Sequence, residues 1–138
     1  MSFDICFGLF DHEERFQIPR SVLRARFEKH IESEEKTGCW RLVFDEGPTF
    51  AELSSGKGDM IDGFVVRRPP DSLEFWEIAA GILRDLPCLL YWPNVPPLGI
   101  VGSLDVLQHI PKGFIEAMGI PFVSTDPERI RQYVWDNS

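Results

Sequence analysis

Three side-chain types in this chain could do chemistry: imidazole, thiol and paired carboxylate. The imidazoles are scattered, at His12, His30 and His109. None of them has a second ligand at a spacing typical of a metal site. The thiols are far apart with no CxxC among them, at Cys6, Cys39 and Cys88. The pattern predicts no catalytic residue, no metal ligand and no cofactor, and only a pairing of distant residues, such as Cys39 with His30, stays open.

Carboxylates come in pairs along the first half of the chain. The pairs are Glu13-Glu14, Glu34-Glu35, Asp45-Glu46 and the near pair Asp59 and Asp62. A glycosidase-type site would need one carboxyl group inside an apolar pocket, where its pKa rises. These pairs fall in predicted turns and helix ends, where solvent keeps the pKa of a carboxyl group low. Two interpretations stay open: an ordinary solvated surface, or a negatively charged face that binds a cationic protein.

The segment from Leu86 to Gly102, LPCLLYWPNVPPLGIVG, places two large aromatic residues at the start of a proline-rich loop. Its apolar run from Cys88 predicts a strand buried on both faces, as in the centre of a covered sheet. Because side chains alternate along a strand, Tyr91 and Trp92 should point to opposite faces. Tyr and Trp are frequent interface anchors. Either both residues close the core, or one of them lines a binding site.

Composition and charge describe one globular domain, residues 1–138. The chain carries 22 acidic and 14 basic side chains, a formal net charge of −8 and a pI near 4.8. Nucleic acid is excluded as the direct partner, because binding phosphates needs a basic footprint. No apolar run reaches the length of a membrane span, and the N-terminus lacks the positive segment of a signal peptide. Separated cysteines in odd number are typical of a reducing compartment, so we expect a cytoplasmic protein that does not bind membranes.

The hydrophobic periodicity predicts an α+β fold, or a mixed α/β one, with a single twisted sheet of about five to six strands and helices packed on it. Strands are predicted at residues 3–10, 39–44, 49–53, 60–68, 88–92 and 120–124, with a short extended piece at residues 98–102. Leu23, Phe27 and Ile31 recur every four residues, so we expect one helix from Pro19 to about Gly38. Further helices are predicted at residues 71–87, 103–111, 112–119 and 125–138.

The chain is small and acidic, with acid pairs such as Asp45-Glu46 and Glu34-Glu35, aromatic-rich strands and no catalytic motif. In these features it resembles a known class of bacterial proteins. These are the immunity proteins that neutralise toxins of contact-dependent inhibition and related polymorphic-toxin systems. The resemblance lies in the overall character of the chain. It implies a tight complex with a cognate toxin, formed without a cofactor and often covering the active cleft of the toxin. No residue role is carried over, because these families share no fixed motif.

The leading hypothesis is therefore a non-enzymatic protein that binds a basic toxin through an acidic surface. Its candidate contacts are five acids on the predicted hairpin and the following loop, and two aromatic residues: Asp45, Glu46, Glu52, Asp59, Asp62, Tyr91 and Trp92. Two alternatives stay open. The first is a small enzyme or ligand-binding domain with a pocket near Tyr91–Pro97. The second is a structural subunit that buries its aromatic residues in a homo-oligomer.

Overall fold

The computed structural model describes residues 3–36, 38–55, 59–93 and 97–138. These residues form a mixed α/β fold with one large sheet of ten strands. The strands are β1 (Asp4–Asp11), β2 (Glu14–Arg15), β3 (Ile18–Pro19), β4 (Ile31–Lys36), β5 (Cys39–Phe44), β6 (Gly47–Ser55), β7 (Met60–Arg67), β8 (Cys88–Trp92), β9 (Leu98–Val101) and β10 (Phe122–Val123). The helices are α1 (Arg20–Phe27), α2 (Leu73–Asp85), a 3₁₀-helix (Leu104–His109), α3 (Lys112–Met118) and α4 (Pro127–Asp136).

The sheet is ordered β10-β9-β8-β1-β7-β6-β5-β4. Its pairings along this path are antiparallel, except that β9 and β10 run parallel. Strands β4 to β7 form a meander, and the N-terminal strand β1 lies between β7 and β8. The two-residue strands β2 and β3 pair with β1 and β7. The central position of β1 explains why it is apolar over most of its length.

Most of the core lies on one face of the sheet, which helices α1, α2 and α4 cover. Trp40, Trp76 and Trp92 are fully buried in this part of the core. On the opposite face, the 3₁₀-helix and α3 pack over β8 and β9 and form a smaller apolar cluster around Leu89 and Met118. These two short helices do not reach β5 and β6, where alternate side chains stay half-exposed. We call this uncovered part, on β5, β6, β7 and β1, the open face.

The sheet has about ten strands rather than the five to six predicted from sequence. The main difference follows α1, which ends at Phe27 instead of continuing to Gly38. Ile31–Lys36 forms β4 and pairs antiparallel with β5. The glutamates of this segment favour a helix locally, but pairing with a neighbouring strand overrides intrinsic propensity. Two of the other strands, β2 and β3, have two residues each, too few to show a periodic pattern. β10 lies within the strand predicted at residues 120–124.

None of the helices in the described part of the chain is long and apolar enough to cross a membrane. The longest of them, α2, has 13 residues. At 1.5 Å per residue it extends about 20 Å, less than the roughly 30 Å of a bilayer core.

Candidate functional site

The aromatic pair at the end of β8 divides between the two faces of the sheet. Trp92 is fully buried on the face covered by α4. Its indole N–H donates a hydrogen bond to the carbonyl oxygen of Asn137 at 3.1 Å, and its ring packs edge-on against Tyr133. Tyr91 is half-buried on the opposite face, with its ring edge-on to Phe114 at 5.5 Å. Trp92 therefore offers no surface to a partner, and of the pair only Tyr91 stays among the candidate contacts.

Tyr91 lines an open groove of about 730 Å³ between the end of β8 and α3, which we call the apolar groove. The walls are almost entirely apolar and include Pro93, Pro97, Phe114 and Met118. Its volume falls within the range of roughly 300–1,000 Å³ typical of small-molecule pockets. The middle of the predicted proline-rich loop, residues 94–96, lies outside the described residues.

Cys6 is the cross-strand neighbour of Tyr91 and also lines the groove. Burial is the largest cause that raises the pKa of the Cys6 thiol, and the charge of Asp4 raises it further. Burial is also the largest cause that raises the pKa of the Tyr91 hydroxyl, and the neighbouring Cys6 side chain raises it further. Because only the thiolate is a strong nucleophile, a thiol that stays protonated is poorly suited to covalent catalysis. The groove thus holds a neutral thiol and a neutral phenol.

A continuous row of side chains connects the groove to the open face. Cross-strand pairing aligns Tyr91 with Cys6, Val65, Glu52 and Cys39 in turn. All five are partly exposed. Because cross-strand partners point to the same face, the row forms one surface that runs from α3 to β5.

The five acids predicted as contacts lie in separate places. Asp45 and Glu46 form the β5–β6 turn, whereas Asp59 and Asp62 lie where the chain enters β7. Successive turns of a meander fall at opposite ends of their shared strand. That strand, β6, has nine residues, which span about 30 Å. The acids therefore do not form one patch on the hairpin and its following loop.

Two of these acids are paired with arginines. Glu52 accepts hydrogen bonds from Arg67 at 2.8 and 3.2 Å. Asp62 accepts one at 3.0 Å from Arg15, whose guanidinium lies over the Phe10 ring. Each arginine offsets the charge of its acid. The other three acids are exposed and form no ion pair with a described residue: Asp45, Glu46 and Asp59.

The Asp45-Glu46 turn lies at the same end of the sheet as the apolar groove. β6 runs antiparallel to β7, β7 to β1, and β1 to β8. Because the strand direction reverses at each of these three pairings, the start of β6 and the end of β8 lie at the same end of the sheet. Three strand spacings separate β6 from β8, about 14 Å. Glu46 lies six residues along the chain from Glu52, the residue level with Tyr91, which adds about 20 Å along the strand. Asp59 lies six residues from Val65 in the opposite direction, so the two unpaired acidic turns lie at opposite ends of the sheet, each at a distance from the groove.

Sequence reasoning missed one group of residues. The structure brings Asp11, His12 and His109 together, although no short motif could show this, since 97 positions separate the two histidines. The open pairing of Cys39 with His30 is not formed. The His30 ring stacks on Phe44, whose side chain points to the opposite face of β5 from Cys39.

Comparison with known proteins provides no further guide to the site. No protein-family model, curated protein or solved structure matches this chain.

Proposed function

We propose that the chain is a non-enzymatic binding protein that neutralises a cognate basic toxin, as its resemblance to bacterial immunity proteins implies. The apolar groove receives an apolar segment of that partner. The observation that carries the proposal is the groove itself, in which Tyr91 and Phe114 form an aromatic wall on a strand and a helix. Rigidly held aromatic residues in a desolvated depression are the usual anchors of protein interfaces.

Charge supports a basic partner. The chain carries a net charge of −8, and the unpaired carboxylates of Asp45 and Glu46 lie at the groove end of the sheet. Complementary charge speeds encounter and orients the partner, whereas apolar anchors slow dissociation. The proposed interface extends from the groove across the open face to the β5–β6 turn.

The volume of the groove favours one second candidate, a small enzyme or ligand-binding domain that takes an apolar molecule near Tyr91–Pro97. A cavity of about 730 Å³ could hold such a ligand. The neutral Cys6–Tyr91 pair would provide weak polar contacts. The two candidates differ in the size of the occupant, and both are tested by filling the groove.

Gly113 allows the groove to be filled without disturbing the core. It lines the groove, and a Cβ added there meets nothing within 4 Å. We expect Gly113→Trp to weaken binding of the cognate partner by at least about tenfold, as for the loss of one anchor contact. Gly113→Ala is the matched control, because it changes the helix backbone in the same way and leaves the groove open. It should bind as the wild type does.

The partner is first identified by co-purification with the tagged chain from its own cells. Affinities are then measured by calorimetry, and growth of cells that produce the partner is followed with and without the chain. An acidic partner, a partner harmless to cells, or equal binding by both Gly113 variants would overturn the proposal. If Gly113→Trp abolishes only the binding of a dye that recognises apolar surfaces, such as the anion anilinonaphthalene sulfonate, the groove is a ligand pocket. If it abolishes only self-association in native mass measurements, the groove is a homo-oligomer contact.

A further inference from the structure

The turn between β1 and β2 brings two imidazoles and a carboxylate into one cluster. One ligand atom from each of Asp11, His12 and His109 lies within 4.8 Å of the other two. A carboxylate oxygen of Asp11 is 2.6 Å from Nδ1 of His12 and 3.3 Å from Nδ1 of His109. We propose that these three residues bind one divalent transition-metal ion, a function separate from partner binding.

Hydrogen bonds across a long sequence separation hold the cluster in place. The backbone N–H of His12 donates to Nδ1 of His109 at 3.0 Å, and the N–H of Glu13 donates to the His109 carbonyl at 2.9 Å. The Glu13 carboxylate accepts a third bond from the N–H of Lys112 at 3.1 Å. The turn is thus attached to the end of the 3₁₀-helix and the start of α3, and the two histidines keep a fixed relation.

The backbone of the turn is unusual for the residues that occupy it. His12 and Glu13 have φ values of +49° and +70°. A two-residue hairpin turn with both central residues in the left-handed region normally carries Asn-Gly, because other side chains cost about 1–2 kcal/mol there. An Asn at position 12 would suit this backbone better than His. Histidine is nevertheless more frequent in this region than most residues are, so Glu13 is the more strained of the two.

The hydrogen bond that His109 accepts identifies one atom that could bind a metal ion. Nδ1 of His109 accepts the N–H of His12, so this atom has a lone pair, which points to the His12 amide. A bound ion would replace the His12 amide at this atom, and the two hydrogen bonds of Glu13 would still hold the turn against the 3₁₀-helix and α3. The distance of 3.3 Å between the ligand atoms of Asp11 and His109 is close to the roughly 3.3–3.5 Å between ligands that lie 2.0–2.1 Å from a tetrahedral zinc ion. The 2.6 Å between Asp11 and His12 is a hydrogen-bond distance, so these two side chains must move apart when an ion binds.

The ligand set indicates the class of metal. Two imidazoles and one carboxylate suit Zn²⁺, Co²⁺, Ni²⁺ or Cu²⁺, whereas Mg²⁺ and Ca²⁺ prefer oxygen ligands alone. The side chains of His12 and Asp11 are 78% and 52% exposed, so water can complete the coordination. Asp11 lies five residues along β1 from Cys6, about 16 Å, whereas His109 lies two residues before Pro111, which lines the apolar groove. The cluster is therefore a neighbour of the groove and does not line it.

His12→Asn separates metal binding from the structural role of the turn. The substitution removes one ligand, while Asn tolerates the left-handed backbone. We expect the metal-free variant to be at least as stable as the wild type and to bind Zn²⁺ at least about tenfold more weakly. Calorimetry with the tag-free, chelator-treated full chain measures the affinity, and Co²⁺ absorption reports the ligands. The wild type should bind one ion per chain.

His30→Gln provides the control, because His30 is the third histidine and contacts Val43 and Glu74 instead. It should bind Zn²⁺ as the wild type does, while Asp11→Asn should lose affinity as His12→Asn does. On adding Zn²⁺, the His12 amide signal should be among those that shift most in the wild-type NMR spectrum. The proposal is overturned if the wild type binds no Zn²⁺, if His12→Asn retains full affinity, or if Co²⁺ gives the thiolate absorption of cysteine ligands.

Discussion

At the residue scale, two glycines make room for the arginine that pairs with Asp62. Gly8 and Gly63 are cross-strand partners on β1 and β7. A Cβ at either position would lie 3.4 Å from the guanidinium of Arg15. Their missing side chains let Arg15 lie flat on the sheet, over Phe10 and against Asp62. This is why Asp62, an acid predicted to meet a partner, is already paired within the chain.

Gly63→Ala should destabilise the fold more than Gly8→Ala. A Cβ at position 63 would lie 2.4 Å from the backbone oxygen of Phe7, so a strand must move. At position 8 its closest neighbours are the Phe10 ring, at 2.9 Å, and Arg15, which are side chains that can shift. We expect Gly63→Ala to lower the free energy of unfolding by about 1–3 kcal/mol and Gly8→Ala by less. Urea unfolding measures both, and equal losses would contradict this interpretation.

At the element scale, one carboxylate joins the helices α1 and α2. Asp85, the last residue of α2, accepts hydrogen bonds from Arg84 at 3.0 Å and from Arg26 of α1 at 2.9 Å. The bond from Arg84, and then that from Arg26, lowers the pKa of Asp85 from 3.8 to about 2. α1 has only eight residues, too few for a stable helix by itself. It depends on such contacts and on the burial of Leu23 and Phe27.

The pH dependence of stability should show the contribution of Asp85. Because its pKa is lower in the folded chain, Asp85 stabilises the fold above its unfolded pKa of 3.8, and this contribution is lost as the pH falls to about 2. Asp85→Asn should therefore be less stable than the wild type near neutral pH. Between pH 3.8 and about 2 it should lose less stability than the wild type does. Urea unfolding at a series of pH values measures the slope. Glu77→Gln, on the exposed side of α2, is the control, and a slope unchanged in Asp85→Asn would refute the role.

At the scale of the whole molecule, the meander decides which acids can act together. It separates the β5–β6 turn from the entry to β7 by the length of β6, and it places the first of these at the end of the sheet where β8 ends. A net charge of −8 attracts a basic protein from any direction. The position of the unpaired acids then determines how that protein is oriented. The proposed interface is therefore one end of the sheet rather than an evenly acidic surface.

Charge reversal should distinguish the two ends. We expect Asp45→Lys and Glu46→Lys each to slow association with the cognate partner by about two- to tenfold at low salt and to flatten its salt dependence. Asp59→Lys changes the net charge equally at the far end and should slow association less. Stopped-flow or surface-based kinetics at several salt concentrations provide the rates. Equal slowing by all three would mean that net charge alone steers the partner, and no slowing would exclude electrostatic steering.

Much of the secondary structure could be predicted from sequence, because periodicity is a local property. The sequence alone shows that apolar side chains alternate with others along β1 and β5. It also shows the apolar stripe of α2. The helix predicted for residues 31–36 is wrong, because the residues of this segment alone do not show that they pair with β5. The sheet consequently has more strands than expected.

The sequence by itself determined that Tyr91 and Trp92 point to opposite faces, since alternation is built into the geometry of a strand. Only the tertiary structure decided which of them is buried, because that depends on where α4 and α3 pack. The same is true of the groove, of the separation of the acids, and of the cluster at Asp11, His12 and His109. Each depends on segments that are distant in the chain and meet only when the sheet is assembled, so no local pattern contains them.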